Sequence, residues 1–420
     1  MKTKNLLLAV SFLLTVIFLF PATSFGQGTW TQKAKFPGSG RYIAASFSIG
    51  TKGYIGLGWS DLNSSASVFK DFWEWDQATN VWTKKADYPG KSGGAVVNFS
   101  IGTKGYIATG QSNTGNGFTN ELWEYNPATD SWTQKASLPS TPARSLAVGF
   151  SIGTKGYIGT GTQDIGQTEI YYQDFWEWDQ ATNVWTQKAS FGGTARSYAV
   201  GFAIGTKGYI GTGEDIIDGK DVGKKDFWEW DQATNVWTRK ADFGGTARGY
   251  AKGFSIGTKG YITMGIDASQ TTAFNDFWEW DQKTNIWVQK ANFEESVRVH
   301  AVGFSIGDKG YIGTGGNSTT CFQDFWEYNP SGTTGIAEVA KENFSVYPNP
   351  ANDVLTLNFD NINNADLTLN IYNLAGELVR SETLRQNQQQ INIEEISNGI
   401  YMVEIKSKGW SEKQKLIIQR

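Results

Sequence analysis

Three short strings recur six times between residues 30 and 329, and this repetition constrains the fold more than any other feature of the chain. The string Gly-Tyr-Ile recurs at intervals of 50 to 52 residues and begins at Gly53, Gly105, Gly156, Gly208, Gly260 and Gly310. The string [Phe/Leu]-Trp-Glu-[Trp/Tyr]-[Asp/Asn] has its first Trp at Trp73, Trp123, Trp176, Trp228, Trp278 and Trp326. The string Trp-[Thr/Val]-[Gln/Lys/Arg]-Lys-Ala begins at Trp30, Trp82, Trp132, Trp185, Trp237 and Trp287. Such self-similarity is typical of folds in which each repeat is one supersecondary unit.

Each repeat is predicted to contain four short strands, which we call strands a, b, c and d. In the fourth repeat these strands are residues 196–204, 209–213, 226–231 and 236–241. Gly-Thr-Lys-Gly at 205–208 predicts a hairpin turn, because Gly accepts a positive φ. Short aromatic and β-branched runs between regular turn signals indicate an all-β protein.

The order of the strings predicts how the repeats close. Four strands in about 50 residues are the blade unit of a β-propeller. The third string occurs once before the first complete repeat, at Trp30, whereas the sixth repeat has no strand d after Tyr328. We therefore expect a six-bladed propeller in which the N-terminal strand completes the sixth blade and leaves no unpaired junction.

The repeated residues resemble a known family. The glycine-bearing strand b, the Trp-Glu-Trp-Asp strand c and the Trp that opens strand d are similar to kelch repeats, including those of the central domain of galactose oxidase. The resemblance covers about residues 28–330 and implies a kelch-type propeller. It departs from the usual pattern in strand b, where Gly-x-Gly, as at Gly56 and Gly58, mostly replaces a Gly-Gly doublet such as Gly315-Gly316.

The tryptophans are mostly repeat positions. Six of the 18 open strand d, six are the first Trp of strand c, and four are the second Trp of strand c. Tyr125 and Tyr328 take that last position in the other two repeats. We expect these 16 side chains to form the core between blades, which leaves Trp59 and Trp410 without a repeat position.

The C-terminal segment has a different composition. After a predicted linker at 331–340, the Trp-rich repetition stops and alternating strands are expected over 341–420, as a small antiparallel Ig-like β-sandwich. The Tyr-Pro-Asn-Pro opening at 347–350, the Asn-Gly-Ile-Tyr step at 398–401 and the basic last strand resemble the C-terminal sorting domain of the Bacteroidetes type IX secretion system. The resemblance implies the type IX machinery as a partner, with release or surface anchoring after outer-membrane translocation. An ordinary Ig-like accessory domain is the alternative.

The N-terminal segment is typical of a signal peptide. Lys2 and Lys4 precede a mostly apolar run from Leu6 to Phe20, and a small, polar stretch ends at a plausible cleavage site after Gly26. A membrane anchor is the alternative, but a span needs about 20 apolar residues. We expect residues 1–26 to be removed after Sec export and the mature protein, with its propeller at 27–330, to have no membrane span.

Composition excludes several chemistries. One Cys, Cys321, cannot form an internal disulfide, and one His, His300, cannot supply a multi-His metal site. Copper oxidase activity of the galactose oxidase kind, which implies paired His ligands and a Tyr–Cys crosslink, is therefore excluded, and no cofactor is expected. The net charge of −4 gives no electrostatic case for nucleic acid.

The loops between strands b and c are the predicted binding surface. The a–b and c–d turns repeat almost verbatim, whereas the b–c loops, on the opposite face of the ring, differ in every repeat. Aromatic faces with acidic neighbours suit carbohydrate. The alternative is that the loops are tolerated variation without a ligand. The candidate loop residues are Trp59, Asp164, Tyr171, Tyr172, Glu214, Asp215 and Asp218.

Five arginines at the start of strand a form a second candidate group. Each lies six residues before a Phe, near the expected channel; they are Arg41, Arg144, Arg196, Arg248 and Arg298, with Gly93 in the second repeat. The arginines are candidates for binding a carboxylate or sulfate, and structural pairing between blades is the alternative. His300, two positions after Arg298, is a further candidate for ligand binding. The six strand-c glutamates are expected to accept hydrogen bonds from a neighbouring blade or from these arginines.

Three functions remain open from the sequence. The first is a secreted or surface-attached, non-catalytic binding protein that engages a glycan or a protein on the b–c loops. The second is a sugar-modifying enzyme, similar to the bacterial kelch sialic-acid mutarotase, that uses the Arg-lined channel and His300. The third is a structural or adhesion component of the cell envelope.

Overall fold

A computed structural model of the chain describes residues 28–60, 67–112, 117–139, 143–165, 168–332, 344–359, 367–373, 376–384, 388–407 and 410–420. The described residues form strands and turns without a helix. The chain divides into two compact units, Met1–Thr333 and Thr334–Arg420. The predicted signal peptide, residues 1–26, and most of the predicted linker lie outside the described residues.

The first unit contains thirty strands within the described residues. They are β1 (Thr29–Gln32), β2 (Ala45–Ile49), β3 (Lys52–Gly56), β4 (Phe72–Asp76), β5 (Val81–Lys85), β6 (Ser92–Gly94), β7 (Val97–Ile101), β8 (Lys104–Ala108), β9 (Gln111–Ser112), β10 (Leu122–Asn126), β11 (Ser131–Lys135), β12 (Val148–Ile152), β13 (Lys155–Gly159), β14 (Thr162–Ile165), β15 (Thr168–Tyr171), β16 (Phe175–Asp179), β17 (Val184–Lys188), β18 (Val200–Ile204), β19 (Lys207–Gly211), β20 (Glu214–Ile217), β21 (Lys220–Gly223), β22 (Phe227–Asp231), β23 (Val236–Arg239), β24 (Lys252–Ile256), β25 (Lys259–Thr263), β26 (Phe277–Asp281), β27 (Ile286–Lys290), β28 (Val302–Ile306), β29 (Lys309–Gly313) and β30 (Phe325–Asn329).

These strands form six four-stranded antiparallel sheets, one for each repeat. Sheets 1 to 5 have the orders β2-β3-β4-β5, β7-β8-β10-β11, β12-β13-β16-β17, β18-β19-β22-β23 and β24-β25-β26-β27. Sheet 6 has the order β28-β29-β30-β1, because β1 pairs antiparallel with β30, with Trp30 opposite Tyr328. The first strands of successive sheets contact one another, and β28 contacts β2. The all-β class and the four strands per repeat are thus confirmed.

Strands a and b of the fourth repeat do not reach as far toward the b–c loops as the sequence predicts. The sequence predicts strand a of the fourth repeat over 196–204, but β18 begins at Val200, because Tyr198 has a φ of 55°. It predicts strand b over 209–213, but β19 is Lys207–Gly211, because Thr212 and Gly213 have φ of 58° and 93°. Left-handed residues cannot continue a pleated strand, so each marks a strand end. Gly205, with φ 59°, forms the a–b turn as predicted.

The tryptophans that open strand d link neighbouring sheets. Each indole Nε1 donates to the carbonyl oxygen of the Ala that follows strand d of the preceding sheet. The six bonds are Trp82 to Ala34 (2.8 Å), Trp132 to Ala86 (2.9 Å), Trp185 to Ala136 (2.8 Å), Trp237 to Ala189 (3.0 Å), Trp287 to Ala241 (3.1 Å) and Trp30 to Ala291 (3.2 Å). Each of the six sheets is thus bonded to a neighbour, and sheet 1 is bonded to sheet 6 through Trp82 and Ala34.

The second aromatic residue of strand c fills the core between sheets, as the sequence predicts. Trp75, Trp178, Trp230, Trp280, Tyr125 and Tyr328 are fully buried. Trp75 packs on Tyr311 and Phe325 of sheet 6, with ring centroids 5.0 Å apart in both pairs. Trp230 makes the same contacts with Tyr157 and Phe175 of sheet 3. This repeated packing accounts for four of the 18 tryptophans, and the indole bonds of strand d account for six more.

The strand-c glutamates pair within their own sheet, which corrects the expected pairing with a neighbouring blade or with the arginines. The hydroxyl group of Tyr54 donates to Glu74 at 2.6 Å, and the equivalent bonds occur in the other five sheets. The reason is the register: Tyr54 lies directly opposite Glu74 in the pairing of β3 with β4. The link to the neighbouring sheet runs through another residue, since the Gln77 amide donates to the Tyr311 hydroxyl at 2.8 Å.

The second unit contains two antiparallel sheets around one core. Its strands are β31 (Phe344–Tyr347), β32 (Val354–Phe359), β33 (Leu367–Tyr372), β34 (Leu378–Leu384), β35 (Gln388–Asn392), β36 (Gly399–Ser407) and β37 (Trp410–Ile418). The sheets have the orders β31-β32-β35 and β34-β33-β36-β37. Both contribute to one apolar cluster that includes Leu355, Ile391, Leu369, Val403 and Leu416.

Candidate functional site

Six equivalent residues form a ring where strand a begins, and we call them the mouth ring. Their backbone is left-handed, with φ between 49° and 60°; they are Ile43, Ala95, Leu146, Tyr198, Tyr250 and His300. Backbone hydrogen bonds join neighbours in this ring, for example from Ala95 N–H to Ile43 O at 3.1 Å and from Ile43 N–H to His300 O at 3.3 Å. The left-handed backbone conformation is therefore common to all six repeats, whereas the side chains at these positions differ.

The mouth ring lies on the side of the b–c loops. The residue before each ring member pairs with the first residue of a b–c loop, as Tyr42 does with Trp59 and Ser197 with Glu214. All six ring side chains line one cavity of about 110 Å³, together with residues of strand a. The constant scaffold thus presents a variable surface at the opening of the channel between the sheets.

Aromatic side chains occupy one arc of the mouth ring. The rings of Tyr198 and Tyr250 stack with centroids 3.7 Å apart, and His300 lies edge-on to Tyr250 at 4.7 Å. Tyr42 continues the arc, 5.7 Å from His300 and 6.2 Å from Trp59. The opposite arc carries the other three mouth-ring residues, Ile43, Ala95 and Leu146. The mouth is therefore asymmetric although its backbone repeats.

The aromatic arc is uncharged at neutral pH. Burial lowers the pKa of His300 to about 3, so its imidazole is neutral and has one nitrogen that donates and one that accepts. Burial raises the pKa of Tyr198 to about 12, although a hydrogen bond with Tyr250 lowers this pKa. Burial raises the pKa of Tyr250 further, and the charge of Tyr198 adds to the rise. The arc thus offers apolar ring faces with neutral hydrogen-bonding groups.

Glu214 is a buried carboxylate beside this arc. Its side chain is 2% exposed, and its Oε1 has no hydrogen-bond partner among the described residues. The pKa of Glu214 is raised to about 7, mainly by burial. The charges of Asp221, Glu169 and Asp267 raise this pKa further toward that value. Gly249 makes room for it, since a Cβ there would lie 2.7 Å from Oε1. A carboxyl group that titrates near neutral pH can donate or accept a proton.

The five candidate arginines are buried inside their own repeats. Arg196 Nη1 and Nη2 donate to Asp226 at 2.6 and 2.9 Å, and Arg41 pairs in the same way with Asp71. Arg144, Arg248 and Arg298 make equivalent pairs with Asp174, Asp276 and Asp324. All five arginines are at most 1% exposed. The structure therefore pairs their guanidinium groups within one repeat, which corrects the expected alternative of pairing between blades, and none of the five lines the mouth cavity.

Trp59 lies beside Gly93, the position at which the other five repeats carry an arginine. The indole occupies space that an arginine side chain would otherwise take. A Cβ on Gly93 would lie 2.3 Å from Val68 Cγ1 and 2.9 Å from Trp59 Nε1. The indole is partly exposed, and its Nε1 is buried without a partner among the described residues. Trp59 therefore has a packing role at Gly93 and also extends the aromatic arc.

One further loop candidate lies beside the arc, and the others are dispersed. Tyr171 is partly exposed in β15, and burial, together with nearby charges that include Tyr198 of the arc, raises the pKa of its phenol. Tyr172 stacks on the Arg144 guanidinium at 4.1 Å, and Asp215 forms an ion pair with Lys224 at 3.2 Å. Asp218 is exposed at the tip of the β20–β21 hairpin, and Asp164 lies in β14, where its side chain falls outside the described residues. Of the sequence candidates, His300 thus lines the mouth cavity, and Glu214 and Tyr171 lie beside it.

Sequence reasoning missed Tyr198, Tyr250 and Lys252. The signal was present in the internal alignment, because the six mouth-ring positions carry Ile, Ala, Leu, Tyr, Tyr and His in an otherwise constant repeat. Lys252 likewise replaces an Ala or Val found at the first position of strand a in the other repeats. Residues that break the repeat are better candidates than residues that follow it.

Comparison with known proteins identifies the C-terminal part of the chain. Residues 345–419 match the family described as the secretion system C-terminal sorting domain. The protein is therefore secreted through the type IX system, to the cell surface or the extracellular space. Among the described residues, no helix is long and apolar enough to cross a membrane. No described group of three or more His, Cys, Asp or Glu side chains is arranged to hold a metal ion.

The first unit is similar to solved structures at the level of the fold. One of them, titled "Structure of YjhT", aligns with a TM-score of 0.59 and 16% sequence identity, over 70% of this chain and 95% of that chain. At this identity the likeness concerns the fold alone, which is propeller-like. A search of curated proteins found no match to the chain.

Proposed function

We propose that this protein is a secreted or surface-attached carbohydrate-binding protein, built as a closed six-bladed kelch-type propeller followed by an Ig-like sorting domain. The pairing of β1 with β30 and the cycle of indole hydrogen bonds support closure by the N-terminal strand. The single core between the two sheets of the second unit supports the sandwich. A signal peptide at 1–26 fits a chain that carries a secretion sorting domain.

The observation that carries the binding proposal is the asymmetric aromatic arc of the mouth. Tyr198, Tyr250 and His300 occupy positions at which the repeat does not require an aromatic ring. Two other repeats carry Ala95 and Leu146 at the equivalent positions. A sugar presents apolar C–H faces that stack on aromatic rings and hydroxyl groups that need donors and acceptors. The neutral phenols and imidazole supply both.

A glycan-array screen of residues 27–420 tests this proposal. We expect binding to a restricted set of glycans, and the affinity of the best one is then measured by titration calorimetry. The matched variants are Tyr250→Leu, which introduces the side chain of Leu146, and Leu146→Ala, which introduces that of Ala95. Absence of binding to all glycans, together with a protein partner recovered by surface crosslinking, would show that the face binds protein instead.

A second function, a sugar-modifying enzyme, is favoured by Glu214. Its carboxyl group has a pKa raised to about 7 by burial, and its charge in turn raises the pKa of Tyr198 and Tyr250. A general acid or base works best when its pKa is near the operating pH. Interconversion of sugar anomers needs only such proton transfers, and the paired arginines take no part in it.

Exchange NMR of reducing sugars separates the two functions. An enzyme accelerates anomer exchange in a way that Glu214→Gln abolishes, while sugar binding persists. A binding protein leaves the exchange rate at its uncatalysed value in both forms.

A further inference from the structure

Lys252 breaks the repeat inside the channel. It is the first residue of β24, and the equivalent residues of the other sheets are Ala45, Val97, Val148, Val200 and Val302. Its stem packs like those valines, because a Cβ on Gly303 would lie 2.8 Å from Lys252 Cγ, just as a Cβ on Gly253 would lie 2.2 Å from Val200 Cγ1. The packing requires an aliphatic stem, and the amine is an addition to it.

Three adjoining cavities place this amine in the channel. They have volumes of about 110, 90 and 220 Å³, and Lys252 and Asn98 line all three. Asn98 belongs to sheet 2 and Lys252 to sheet 5, which are three steps apart in the cyclic order, so they lie on opposite sides of the channel. Lys252 therefore borders the channel space that the three cavities share.

No described carboxylate neutralises the amine. Lys252 is the sole Asp, Glu, Lys or Arg among the described residues that line the three cavities. Burial alone lowers the pKa of Lys252, to about 8, so it is mostly protonated at neutral pH. The other titratable lining groups, His300, Tyr198 and Tyr250, are neutral there. An enclosed charge without a partner is costly, and a bound counter-ion removes that cost.

Neighbouring donors suit an anion. Ser48, Ser100, Ser151 and Ser305 line the largest of the three cavities and carry hydroxyl donors, whereas the Ser255 hydroxyl in the same lining donates to the Ala203 carbonyl oxygen at 2.8 Å. Strand a is the first strand of each sheet and pairs on one side only, with strand b, so its other edge faces the channel. Glycines at 149, 201, 253 and 303 bring the backbone close to the channel space. Hydroxyl and peptide N–H groups can complete the coordination of an ion that Lys252 attracts.

We propose that the channel is a binding site for one small monovalent anion, a halide or the carboxylate of a small acid, held by Lys252. The single positive charge of Lys252 would be neutralised by the single negative charge of the anion. The cavities are large enough for such an ion with part of its hydration shell. The site adjoins the mouth cavity, which Lys252 also lines, but the proposal does not depend on carbohydrate binding there.

Thermal unfolding of residues 27–420 at increasing sodium chloride or sodium formate tests the site. The wild-type midpoint should rise by a few degrees, because a ligand that binds only the folded state stabilises it. Lys252→Val, which restores the repeat residue, should unfold at a higher midpoint without anion and lose the anion-dependent rise. Lys283→Ala is the matched control: it also restores a repeat residue on the same sheet, but at an exposed turn, and should respond like the wild type.

Further measurements make the outcome decisive. The chloride and formate arms distinguish a halide site from a carboxylate site, and crystals grown in bromide should show an anomalous peak beside Lys252 Nζ. The anion-dependent rise should fade above about pH 8, where the amine loses its proton. If Lys252→Val does not fold, Lys252→Met keeps the stem and serves instead. An equal response of the wild type and the Lys252 variant to both anions would overturn the proposal.

Discussion

The indole nitrogen of Trp30 donates a 3.2 Å hydrogen bond to the carbonyl oxygen of Ala291 and so joins β1, the first described strand, to sheet 5. The Trp30 ring also packs edge-on against Phe277 and Phe293, at 5.1 Å in both pairs. Residues 261 positions apart in the sequence are thereby fastened by the same contacts that join sequential repeats.

Trp30→Ala should destabilise the first unit by about 3 kcal/mol, since it removes a large aromatic side chain from a packed interface. Urea unfolding measures the change. Thr31→Ala, at the exposed neighbouring position, is the control and should have little effect. Equal free energies of unfolding for the two variants would mean that the packing of Trp30 does not stabilise the first unit.

Arg196→Ala should cost about 3 to 5 kcal/mol of unfolding free energy, because it leaves the Asp226 carboxylate half-buried without its partner. Burial opposes ionisation of Asp226, yet Arg196 keeps the pKa of that carboxyl below its usual range. The control is Arg239→Ala, whose ion pair with Asp242 is exposed and whose loss should hardly change stability. A result in which both variants are equally stable would contradict the structural role of the buried pairs.

Glu214→Gln should make the protein more stable than the wild type at pH 8 but not at pH 4. The folded-state pKa of Glu214 is raised from 4.5 to about 7, so its contribution is complete below pH 4.5 and is lost as the pH rises through 7. The expected difference at pH 8 is about 3 kcal/mol. Urea unfolding at both pH values measures it, with Asp218→Asn at the exposed hairpin tip as control. A difference independent of pH would show that Glu214 titrates normally.

Tyr250→Leu should weaken binding of the best glycan by roughly tenfold, since an aromatic stacking contact contributes about 1 kcal/mol beyond its buried area. Leu146→Ala, on the opposite arc, should leave the affinity nearly unchanged. Titration calorimetry gives both dissociation constants. The reverse order of effects would move the binding site to the other side of the mouth.

The strands and the inter-sheet core could be predicted from the sequence, whereas the pairing of the polar groups could not. The predicted strand ends are wrong where Tyr198 and Thr212 take left-handed conformations, because nothing in their side chains indicates a positive φ. The glutamate partner of Tyr54 follows from register, which short motifs do not reveal. For the arginines the sequence left ligand binding and pairing between blades open, and the structure instead buries them in pairs with aspartates of their own repeat.

The sequence by itself determined the repeat, the four strands of each repeat, the buried tryptophans and the sorting domain, because these depend on local periodicity, turn chemistry and contiguous motifs. Only the tertiary structure decided which residues share a site. Tyr198, Tyr250 and His300 are about 50 residues apart along the chain, and they meet because the sheets stand side by side at the same register. A repeat brings equivalent positions together in space, so departures from the repeat converge into one asymmetric surface.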